Sequence, residues 1–530
     1  MTRAGAIVPA AASLALGAAI VGAAASLALG AAAWHWRTGA VGGSDSSCYA
    51  LMAKAYAEGR VEPASALALE APWPEPSRVA APGGFLPSPT QPGGAVPVCA
   101  PGYGLLVAPL VRLFGAAAIH ALPPMAAAWV AWAAFLIARR LAGPWAGVAA
   151  SLLVACHPIV LFQAVQPMND ITTAAIWTTV ALMLVAGRPW AVGALVGIGL
   201  LVRPNLALAG AAAIVAVGLV ASRRPGPDAW GRAVRAGVVA ALAAVPGVAA
   251  ALVLNRTLYG SPFTSGYGQL DTLFSASYVA GNVQRYGRTW LATSTPLVLL
   301  AAAAPWALSG RRRQDAWMLI ALASALAAVY LAYRPFPEWW YLRFFLPAVV
   351  LSLVLASAAV AALAARVPWR AGAVAAVLVV VAAAAWGVTS PPAAEAFGLR
   401  RLESRFTLTA ETVAMRLPAE AVIVTVWPSG AIRYASGHEV VMWDALDPAW
   451  LDRALAWLAA TGRPPALVLE DWEEPAFRAR FAGQVFGALD WPPRVDIDRR
   501  VRLYLPDDRA RYLAGEPVPT SHVFGPRARR

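Results

Sequence analysis

An aspartate stands just beyond the first long apolar stretch of the chain, in the segment SDSSCYALMAKAYAEG. Asp45 could act as a general base for an acceptor hydroxyl, a step that typically contributes about 10²–10⁴-fold to a rate. It could equally cap a helix, alone or with Ser44, because the apolar residues that follow recur at helical spacing. Both interpretations stay open at this point.

A second aspartate, Asp170, lies where two apolar segments meet with almost no polar loop, in HPIVLFQAVQPMND. A carboxylate near the depth of a bilayer is costly and is by default a functional hypothesis. The alternative is an N-cap, but Asn169 alone could supply it, so we favour a functional role for Asp170. His157 either packs at the interface or joins Asp45 and Asp170 as a ligand of a divalent metal ion, if one is bound.

Two arginines stand in or beside apolar segments, where a charge needs a partner. Arg203 lies in LLVRPNLAL and Arg343 lies in FPEWWYLRFFLP. An arginine there should pair internally or meet an anionic group, and its planar guanidinium can bind a phosphate through two hydrogen bonds. The alternatives are snorkelling of Arg203 and an ion pair of Arg343 with Glu338. The aromatics after Glu338, Trp340 among them, either form an interfacial belt or stack on sugar rings.

Several familiar motifs are missing from the sequence. It has no Gly-rich phosphate loop, no HExxH pattern and no CxxC pattern. The sequence therefore offers no motif for a donor substrate that carries a cytosolic nucleotide. A donor substrate carried in the membrane would suit a site that faces outward.

The amino-acid composition indicates which class of protein must position these residues. Of 530 residues, 59% are hydrophobic and 13% are charged, whereas a soluble domain carries about 25% charged residues. These values exclude a soluble globular enzyme, a disordered chain and a disulfide-rich secreted module. The net charge is +14, but the arginines lie in short clusters between apolar stretches, so we expect no nucleic-acid partner.

The apolar stretches predict a polytopic α-helical membrane protein. A helix needs about 20 apolar residues to cross a bilayer, and on that measure the chain has eleven spans. They lie near 7–33, 116–138, 145–163, 171–187, 189–202, 205–221, 236–254, 291–308, 316–333, 344–365 and 371–389. Residues 390–530 hold 18 basic and 18 acidic residues, so the whole positive excess belongs to residues 1–389.

The charges also predict an orientation. With a cytoplasmic N-terminus, every tight basic cluster falls in an inner loop, as the positive-inside rule requires. The inner arginines are Arg3, Arg139, Arg140, Arg188, Arg223, Arg224, Arg232, Arg235, Arg311, Arg312, Arg313, Arg366 and Arg370. The outer acids are Asp45, Glu58, Glu62, Glu70, Glu75, Asp170, Asp271 and Glu338. Eleven spans place the tail outside, so we expect the chemistry at the extracytoplasmic face of the membrane.

Two domains follow from this division. Residues 1–389 form a transmembrane domain with long outer loops at 34–115 and 255–290, and surface helices are expected at both ends of the first loop. Residues 390–530 alternate strand-like runs (AVIVTV, EVVMW, ALVLE, VRLYL) with helical stretches, which predicts an extracytoplasmic α/β domain. Cys48 and Cys99 share the first outer loop, where an oxidising exterior permits a disulfide; two unpaired buried thiols are the alternative.

Several segments together resemble the GT-C glycosyltransferases that use polyprenyl-phosphate sugars, especially the bacterial mannosyltransferase-like group and the lipid A aminoarabinose transferases. In chain order these segments are SDSSCYALMAKAYAEG, APGYGLLVAPLVRLFG, HPIVLFQAVQPMND, LLVRPNLAL, NRTLYGSPFTSGYG and WWYLRFFLP. They cover most of residues 1–350. The resemblance implies a GT-C-like membrane fold followed by an α/β tail.

The resemblance also implies roles for the candidate residues. Asp45 would be the catalytic base, Asp170 would help to place substrate or metal, and Arg343 and Arg203 would bind the carrier phosphate. Lys54 could supply a charge that some members carry just before the PGY segment. The residues assigned to sugar or substrate binding are Glu338, Tyr103, Tyr267 and Trp340. The chain departs from many members at Ser46, where they have a second acid.

The implied reaction is inverting transfer of a sugar from a polyprenyl-phosphate donor to an extracytoplasmic protein, lipid A or envelope glycan. The alternatives are a transporter or flippase for lipid-linked sugars, an O-antigen ligase-like transferase and a non-catalytic scaffold. We find no internal repeat of the kind that transporters often have. No cofactor is certain, and a divalent metal ion is the one left open.

Overall fold

The computed structural model describes residues 4–223, 226–268 and 270–525, so the predicted inner arginines Arg3 and Arg224 lie outside the described residues. The chain forms two compact units. The membrane unit comprises Met1–Arg37, His120–Leu252 and Gln269–Gly398, and the sheet unit comprises Thr38–Ile119, Val253–Gly268 and Leu399–Arg530. These units group the first long loop with the tail, and the domain boundary expected after residue 389 stays a prediction.

The membrane unit is almost entirely helical, and two helices cross into the sheet unit, Ala229–Tyr259 after Leu252 and Pro391–Arg416 after Gly398. The α-helices are Ala4–Trp36, Leu122–Ala142, Pro144–Ala155, Pro158–Ala164, Asn169–Val185, Pro189–Val202, Ala207–Ser222, Ala229–Tyr259, Leu270–Leu273, Val279–Ser294, Leu300–Ala307, Gly310–Leu331, Leu346–Ala364, Trp369–Thr389 and Pro391–Arg416. The 3₁₀ helices are Ala116–His120, Pro204–Leu206, Ala276–Tyr278, Pro296–Leu299 and Trp339–Phe345. Proline often opens a helix here, because its missing N–H costs nothing in the first turn.

The fold is polytopic and α-helical, as predicted, but the count of eleven spans is not confirmed. Among the described residues, 7 helices are long and apolar enough to cross a membrane, or up to 9 if each bent pair is one span. Spans expected to be continuous at 145–163 and 291–308 are bent, by 62° and 113°. They bend because Pro158 and Pro296 cannot continue the preceding helix. The helices Asn169–Val185 and Pro189–Val202 have only 17 and 14 residues.

Helix Leu346–Ala364 lies at the centre of the membrane unit. It packs against Leu122–Ala142, Pro144–Ala155 and Asn169–Val185. The apolar window of Trp339–Ala364 is 83% buried, whereas that of Ala229–Tyr259 is 11% buried. Because a helix that is apolar all round and largely uncovered needs an apolar solvent, we place Ala229–Tyr259 at the lipid boundary.

Small residues bring helices Pro189–Val202 and Ala229–Tyr259 close together. A Cβ atom on Gly193 would overlap the carbonyl oxygen of Ala240, and one on Gly197 would crowd that of Ala244. Residues four apart share one helix face, and small residues at this spacing are typical of helix contacts in membranes. The two glycines therefore allow a backbone-to-backbone contact that larger residues would separate.

We expect Gly193→Ala to lower the midpoint of thermal unfolding of the detergent-purified protein. Overfilling a packed contact typically costs about 1–3 kcal/mol. Gly237→Ala in the facing helix is the matched control, because a Cβ there meets no atom of the described residues within 4 Å. Alanine is also the better helix former by about 1 kcal/mol, so Gly237→Ala should hold or raise the midpoint. Equal midpoints for the two variants would contradict the close contact.

The sheet unit combines short helices with two sheets. Its α-helices are Gly43–Ala57, Leu67–Glu70, Pro76–Val79, Gly102–Phe114, Ser429–Ala435, Leu451–Ala460, Glu474–Arg480 and Pro506–Leu513, with a 3₁₀ turn at Phe486–Ala488. Its strands are β1 (Phe85–Pro87), β2 (Ala95–Pro97), β3 (Val422–Thr425), β4 (Glu439–Met442), β5 (Pro465–Glu470), β6 (Val495–Ile497), β7 (Val501–Tyr504) and β8 (Ser521–Val523).

The larger sheet has the order β4-β3-β5-β7-β6-β8. Strand β3 pairs in parallel with β4 and β5, β7 runs antiparallel to β5 and β6, and β8 runs parallel to β6. The four strand-like runs of the sequence correspond to β3, β4, β5 and β7. The pattern did not reveal β6 and β8, which have only three residues each.

The six-stranded sheet is covered on both faces. Side chains alternate along a strand, so Val422 and Val424 belong to one buried cluster and Ile423 belongs to the other. The first cluster is completed by residues of the first long loop: Leu67, Trp73 and Val79. That loop therefore supplies part of the core of the tail sheet.

Candidate functional site

Asp170 and Arg203 form a buried ion pair in the membrane unit. Oδ1 of Asp170 accepts a hydrogen bond from Nη2 of Arg203 at 2.6 Å, and the same nitrogen donates to Oδ1 of Asn169 at 3.1 Å. The side chain of Asp170 has no exposed surface, and that of Arg203 is 11% exposed. Such a pair survives burial only when its geometry and hydrogen bonds are good, so the carboxylate fixes the position of this guanidinium.

Two helix ends bring this pair together. Asp170 lies in the first turn of Asn169–Val185, where the positive end of the helix dipole favours a carboxylate. Arg203 follows the last residue of Pro189–Val202, where the negative end favours a cation. Met168 occupies the N-cap position, where no side chain makes the capping hydrogen bond, so the expected N-cap at Asn169 or Asp170 is wrong.

Arg203 and Arg343 lie against the same aromatic ring. Cζ of Arg203 is 5.8 Å from the centre of the Phe344 ring, and Cζ of Arg343 is 5.3 Å from it. Tyr330 stacks on Phe344 at 5.1 Å, and Tyr341 lies 5.1 Å from Cζ of Arg343. Aromatic faces attract guanidinium groups. Two of the three predicted phosphate-binding residues therefore meet at one aromatic cluster, which we call the Phe344 cluster.

The other two predicted residues of this region flank the cluster. Glu338 is exposed and directly precedes the 3₁₀ helix Trp339–Phe345 that carries Arg343. The ring of Trp340 stacks on Phe162 at 6.0 Å, so one of its faces is occupied by protein. Sugar binding by Glu338 and Trp340 stays a prediction.

His157 is already engaged on both ring nitrogens. Nδ1 accepts a hydrogen bond from the backbone N–H of Ile159 at 3.3 Å, so Nε2 carries the proton and donates to Oγ of Ser294 at 2.8 Å. Asp170, for its part, neutralises Arg203. Across residues 4–223, 226–268 and 270–525, no group of three or more His, Cys, Asp or Glu could hold a metal ion. These donors do not fit a metal site, and no step below involves one.

Asp45 belongs to the sheet unit, in the exposed first turn of helix Gly43–Ala57. The N-cap is Gly42, without a side-chain hydrogen bond, so capping by Asp45 or Ser44 is wrong. The expected surface helix is also wrong beyond this turn, because its side chains from Ser46 to Ala53 are buried. A general base must be held in position by the structure around it. The packed helix does this for the exposed carboxylate of Asp45.

A disulfide joins Cys48 and Cys99, and thereby ties helix Gly43–Ala57 to the segment before Gly102–Phe114. Closing a loop with a separation of 51 residues is worth about 4 kcal/mol in the simple chain-entropy model. Tyr103 is fully buried and packs edge-to-face on Tyr49, with ring centres 5.0 Å apart. This position favours a packing role for Tyr103, and its contact with substrate stays a prediction.

Lys54 lies on the same helix as Asp45 but further along it. Nine residues at 1.5 Å each separate the two by about 13 Å along the axis. Nζ of Lys54 donates to the carbonyl oxygen of Tyr434 at 3.2 Å, so the lysine links this helix to Ser429–Ala435. Tyr267 is 42% exposed and lies elsewhere in the sheet unit. Their roles in substrate binding stay predictions.

Sequence reasoning missed a half-buried carboxyl group, that of Glu403, near the turn that carries Asp45. Oε2 of Glu403 lies so close to Gly42 that any side chain there would overlap it. Burial raises the pKa of Glu403 to about 7, a rise that Arg405 opposes and Glu470 reinforces. A carboxyl group with a pKa near neutrality is a candidate for proton transfer. The single acid in the basic run RRLESRF was the available signal.

An exposed aromatic pair was also missed. Trp427 follows β3 and Trp472 follows β5, and their rings meet edge-to-face at 5.6 Å. They are 41% and 57% exposed, and Nε1 of Trp472 donates to Oε2 of Glu470 at 2.8 Å. Ligands of α/β sheets often bind where parallel strands end. The signal was Trp427 directly after the run AVIVTV and Trp472 two residues after the run ALVLE.

Solved structures of other proteins share the fold of this chain. No protein-family model and no curated protein matches the sequence. The structure is similar to apo ArnT from Cupriavidus metallidurans, with a TM-score of 0.54 and 17% identity over 90% of this chain and 95% of that one. For ArnT bound to undecaprenyl phosphate, the TM-score is 0.57 and the identity is 16%, over 87% of this chain and 94% of that one. For the arabinofuranosyltransferase AftD from Mycobacteria, the TM-score is 0.50 and the identity is 14%, over 96% of this chain and 43% of that one. The protein has the GT-C glycosyltransferase fold that its sequence segments predicted.

Proposed function

We propose that this protein is an integral-membrane inverting glycosyltransferase that moves a sugar from a polyprenyl-phosphate donor to an extracytoplasmic acceptor. The observation that carries the proposal is the Phe344 cluster, where Arg203 and Arg343 share one aromatic ring beside apolar helices. Guanidinium groups bind phosphate well because they offer paired N–H donors. The proposal is supported by ArnT, which has this fold and binds undecaprenyl phosphate.

In the proposed reaction, Asp45 takes the proton of the acceptor hydroxyl as its oxygen attacks the anomeric carbon. The bond between this carbon and the phosphate oxygen breaks, and the electron pair leaves with the polyprenyl phosphate. Attack opposite the leaving group inverts the anomeric centre, through an oxocarbenium-like transition state. Arg343 and Arg203 offset the charge that grows on the phosphate, an electrostatic effect that is usually the largest in catalysis.

Asp170 acts on the donor through Arg203 in this proposal and is therefore a positioning residue. Its carboxylate holds one guanidinium nitrogen at 2.6 Å, which restricts the side chain to one orientation beside Phe344. A guanidinium group that is already held in place loses less entropy when phosphate binds. We infer that the ion pair prepares Arg203 for the phosphate.

We place the sheet unit in the periplasm and the N-terminus in the cytoplasm of a bacterial inner membrane. The disulfide of Cys48 and Cys99 supports this orientation, because disulfides persist on the oxidising side of the membrane. The acceptor is then a protein, lipid A or an envelope glycan. The exposed pair Trp427 and Trp472 on this unit supports an acceptor with a flat apolar face, such as a sugar ring.

We expect Arg343→Gln to weaken the binding of undecaprenyl phosphate by about 10- to 100-fold. A hydrogen bond to a charged group is worth about 1.5–3 kcal/mol, and each 1.4 kcal/mol is tenfold in affinity. The measurement is a binding titration of the detergent-purified protein. Arg334→Gln, which changes an exposed arginine outside the cluster, should bind as the wild type does. Unchanged affinity in Arg343→Gln would count against the phosphate role.

Transfer itself is tested with purified protein, radiolabelled polyprenyl-phosphate sugars and crude envelope acceptors. Label that moves to an acceptor supports the transferase. If no lipid-linked sugar is transferred while vesicles show saturable sugar export, the transporter is the better interpretation.

A further inference from the structure

A cavity of about 760 Å³ opens in the membrane unit, and five arginines line it: Arg188, Arg223, Arg232, Arg235 and Arg311. Within the part of the chain that the structure describes, Arg223 and Arg235 lie beside acids. Nη1 of Arg223 lies 2.7 Å from Oδ1 of Asp315, and Nη2 of Arg235 lies 3.7 Å from Oδ2 of Asp228. Five guanidinium groups against two carboxylates leave an excess of positive charge, so the cavity has the electrostatics of an anion site.

The backbone adds to this positive potential. Pro189 and Gly310, the first residues of two helices, are part of the cavity wall. Arg232 and Arg235 stand in the first two turns of a third helix, Ala229–Tyr259. The first N–H groups of a helix have no partner within it and attract anions. The start of Gly310–Leu331, where Gly310 and Arg311 are both part of the wall, therefore reinforces the charge of the arginine side chains; Pro189 has no N–H to contribute.

Apart from Gln314, the other side chains of the wall are apolar. Val217, Val220 and Val239 line the cavity, and each belongs to a helix of the membrane unit. Trp190 and Trp230, next to two of the helix starts, are 63% and 80% exposed, as expected for tryptophans at the level of lipid headgroups. A basic end beside an apolar wall matches a phosphate group that carries acyl chains.

This cavity is distinct from the Phe344 cluster. Helix Pro189–Val202 has 14 residues, so Arg188 at its start and Arg203 at its end are about 21 Å apart. The two basic sites therefore lie at opposite ends of the same helix. The predicted orientation puts the cavity at the cytoplasmic face, where basic pockets between helices bind anionic headgroups.

We propose that this cavity binds the phosphate headgroup of an anionic phospholipid of the inner leaflet. The positive-inside rule explains arginines on this face, but it requires neither a cavity nor a helix start in the wall of that cavity. Binding here does not depend on sugar transfer, so the proposal goes beyond the proposed function. A bound lipid would tie together the helices that start at the cavity and so stabilise the membrane unit.

The test measures thermal unfolding of the full-length protein in detergent with phosphatidylglycerol, phosphatidylcholine or inorganic phosphate. Phosphatidylglycerol should raise the midpoint, because a ligand of the native state stabilises it, and phosphatidylcholine should not. Arg311→Gln should raise the apparent Kd for phosphatidylglycerol at least tenfold. Arg312→Gln changes the neighbouring arginine, which does not line the cavity, and should respond as the wild type does. Arg343→Gln should also respond fully, which separates this site from the donor site.

Two outcomes would overturn the proposal. If phosphatidylglycerol shifts the midpoint equally in the wild type, in Arg311→Gln and in Arg232→Gln, the lipid binds elsewhere. If inorganic phosphate gives the same shift at the same concentration, the ligand is free phosphate and not a lipid. The midpoints without ligand show whether each variant is folded at the start.

Discussion

Replacing Asp45 with asparagine is expected to lower the rate of sugar transfer by about 10²–10⁴-fold. Asparagine keeps the shape of the side chain but cannot take a proton from a hydroxyl group. Because Asp45 is exposed in the first turn of its helix, the loss of its charge from the positive end of the helix dipole should cost no more than about 1 kcal/mol. Donor affinity should also stay unchanged, since Arg203 and Arg343 are untouched.

The measurement is the initial rate of transfer from a radiolabelled polyprenyl-phosphate sugar, with unfolding midpoint and donor affinity measured on the same preparation. Ser44→Ala is the matched control, because Ser44 is exposed in the same turn. Full transfer by Asp45→Asn would remove Asp45 as the base. If Glu403→Gln then abolished transfer, the base would be the carboxyl group whose pKa burial raises to about 7.

The sequence was most informative where charge is scarce. Asp170 and Arg203 stood out because a single charge in an apolar segment needs a partner. Their pairing was also predictable. Two consecutive helices joined by a short turn run antiparallel, so the start of the first lies near the end of the second. The approach of Arg203 to Phe344, the residue next to Arg343, was not predictable, because helix periodicity does not say which distant helices pack against each other.

Other features were hidden by composition or by distance along a helix. The first long loop is rich in proline and glycine, which concealed that Leu67 and Trp73 complete the core of the tail sheet. Lys54 was expected to supply positive charge for the donor phosphate, but its Nζ donates to the carbonyl oxygen of Tyr434, about 13 Å along the helix from Asp45. The bends at Pro158 and Pro296 interrupt apolar stretches that composition alone treats as continuous.

Replacing Asp170 with alanine is expected to lower the free energy of unfolding by about 3–5 kcal/mol, which is the usual cost of removing one partner of a buried ion pair. The loss is large because Arg203, whose side chain is only 11% exposed, would keep its charge without this carboxylate. Asp228→Asn is the control. Its pair with Arg235 is exposed, at 61% and 76%, and exposed pairs contribute only about 0–1 kcal/mol.

A double variant separates stability from donor binding. Replacing both Asp170 and Arg203, as Asp170→Asn with Arg203→Met, should recover much of the lost stability, because no uncompensated charge stays buried. It should not recover the affinity for undecaprenyl phosphate, because the guanidinium group is gone. Equal stability losses in Asp170→Ala and Asp228→Asn would show that the pair is not buried. Full donor affinity in the double variant would show that Asp170 positions nothing for the phosphate, and the ion pair would then serve the fold alone.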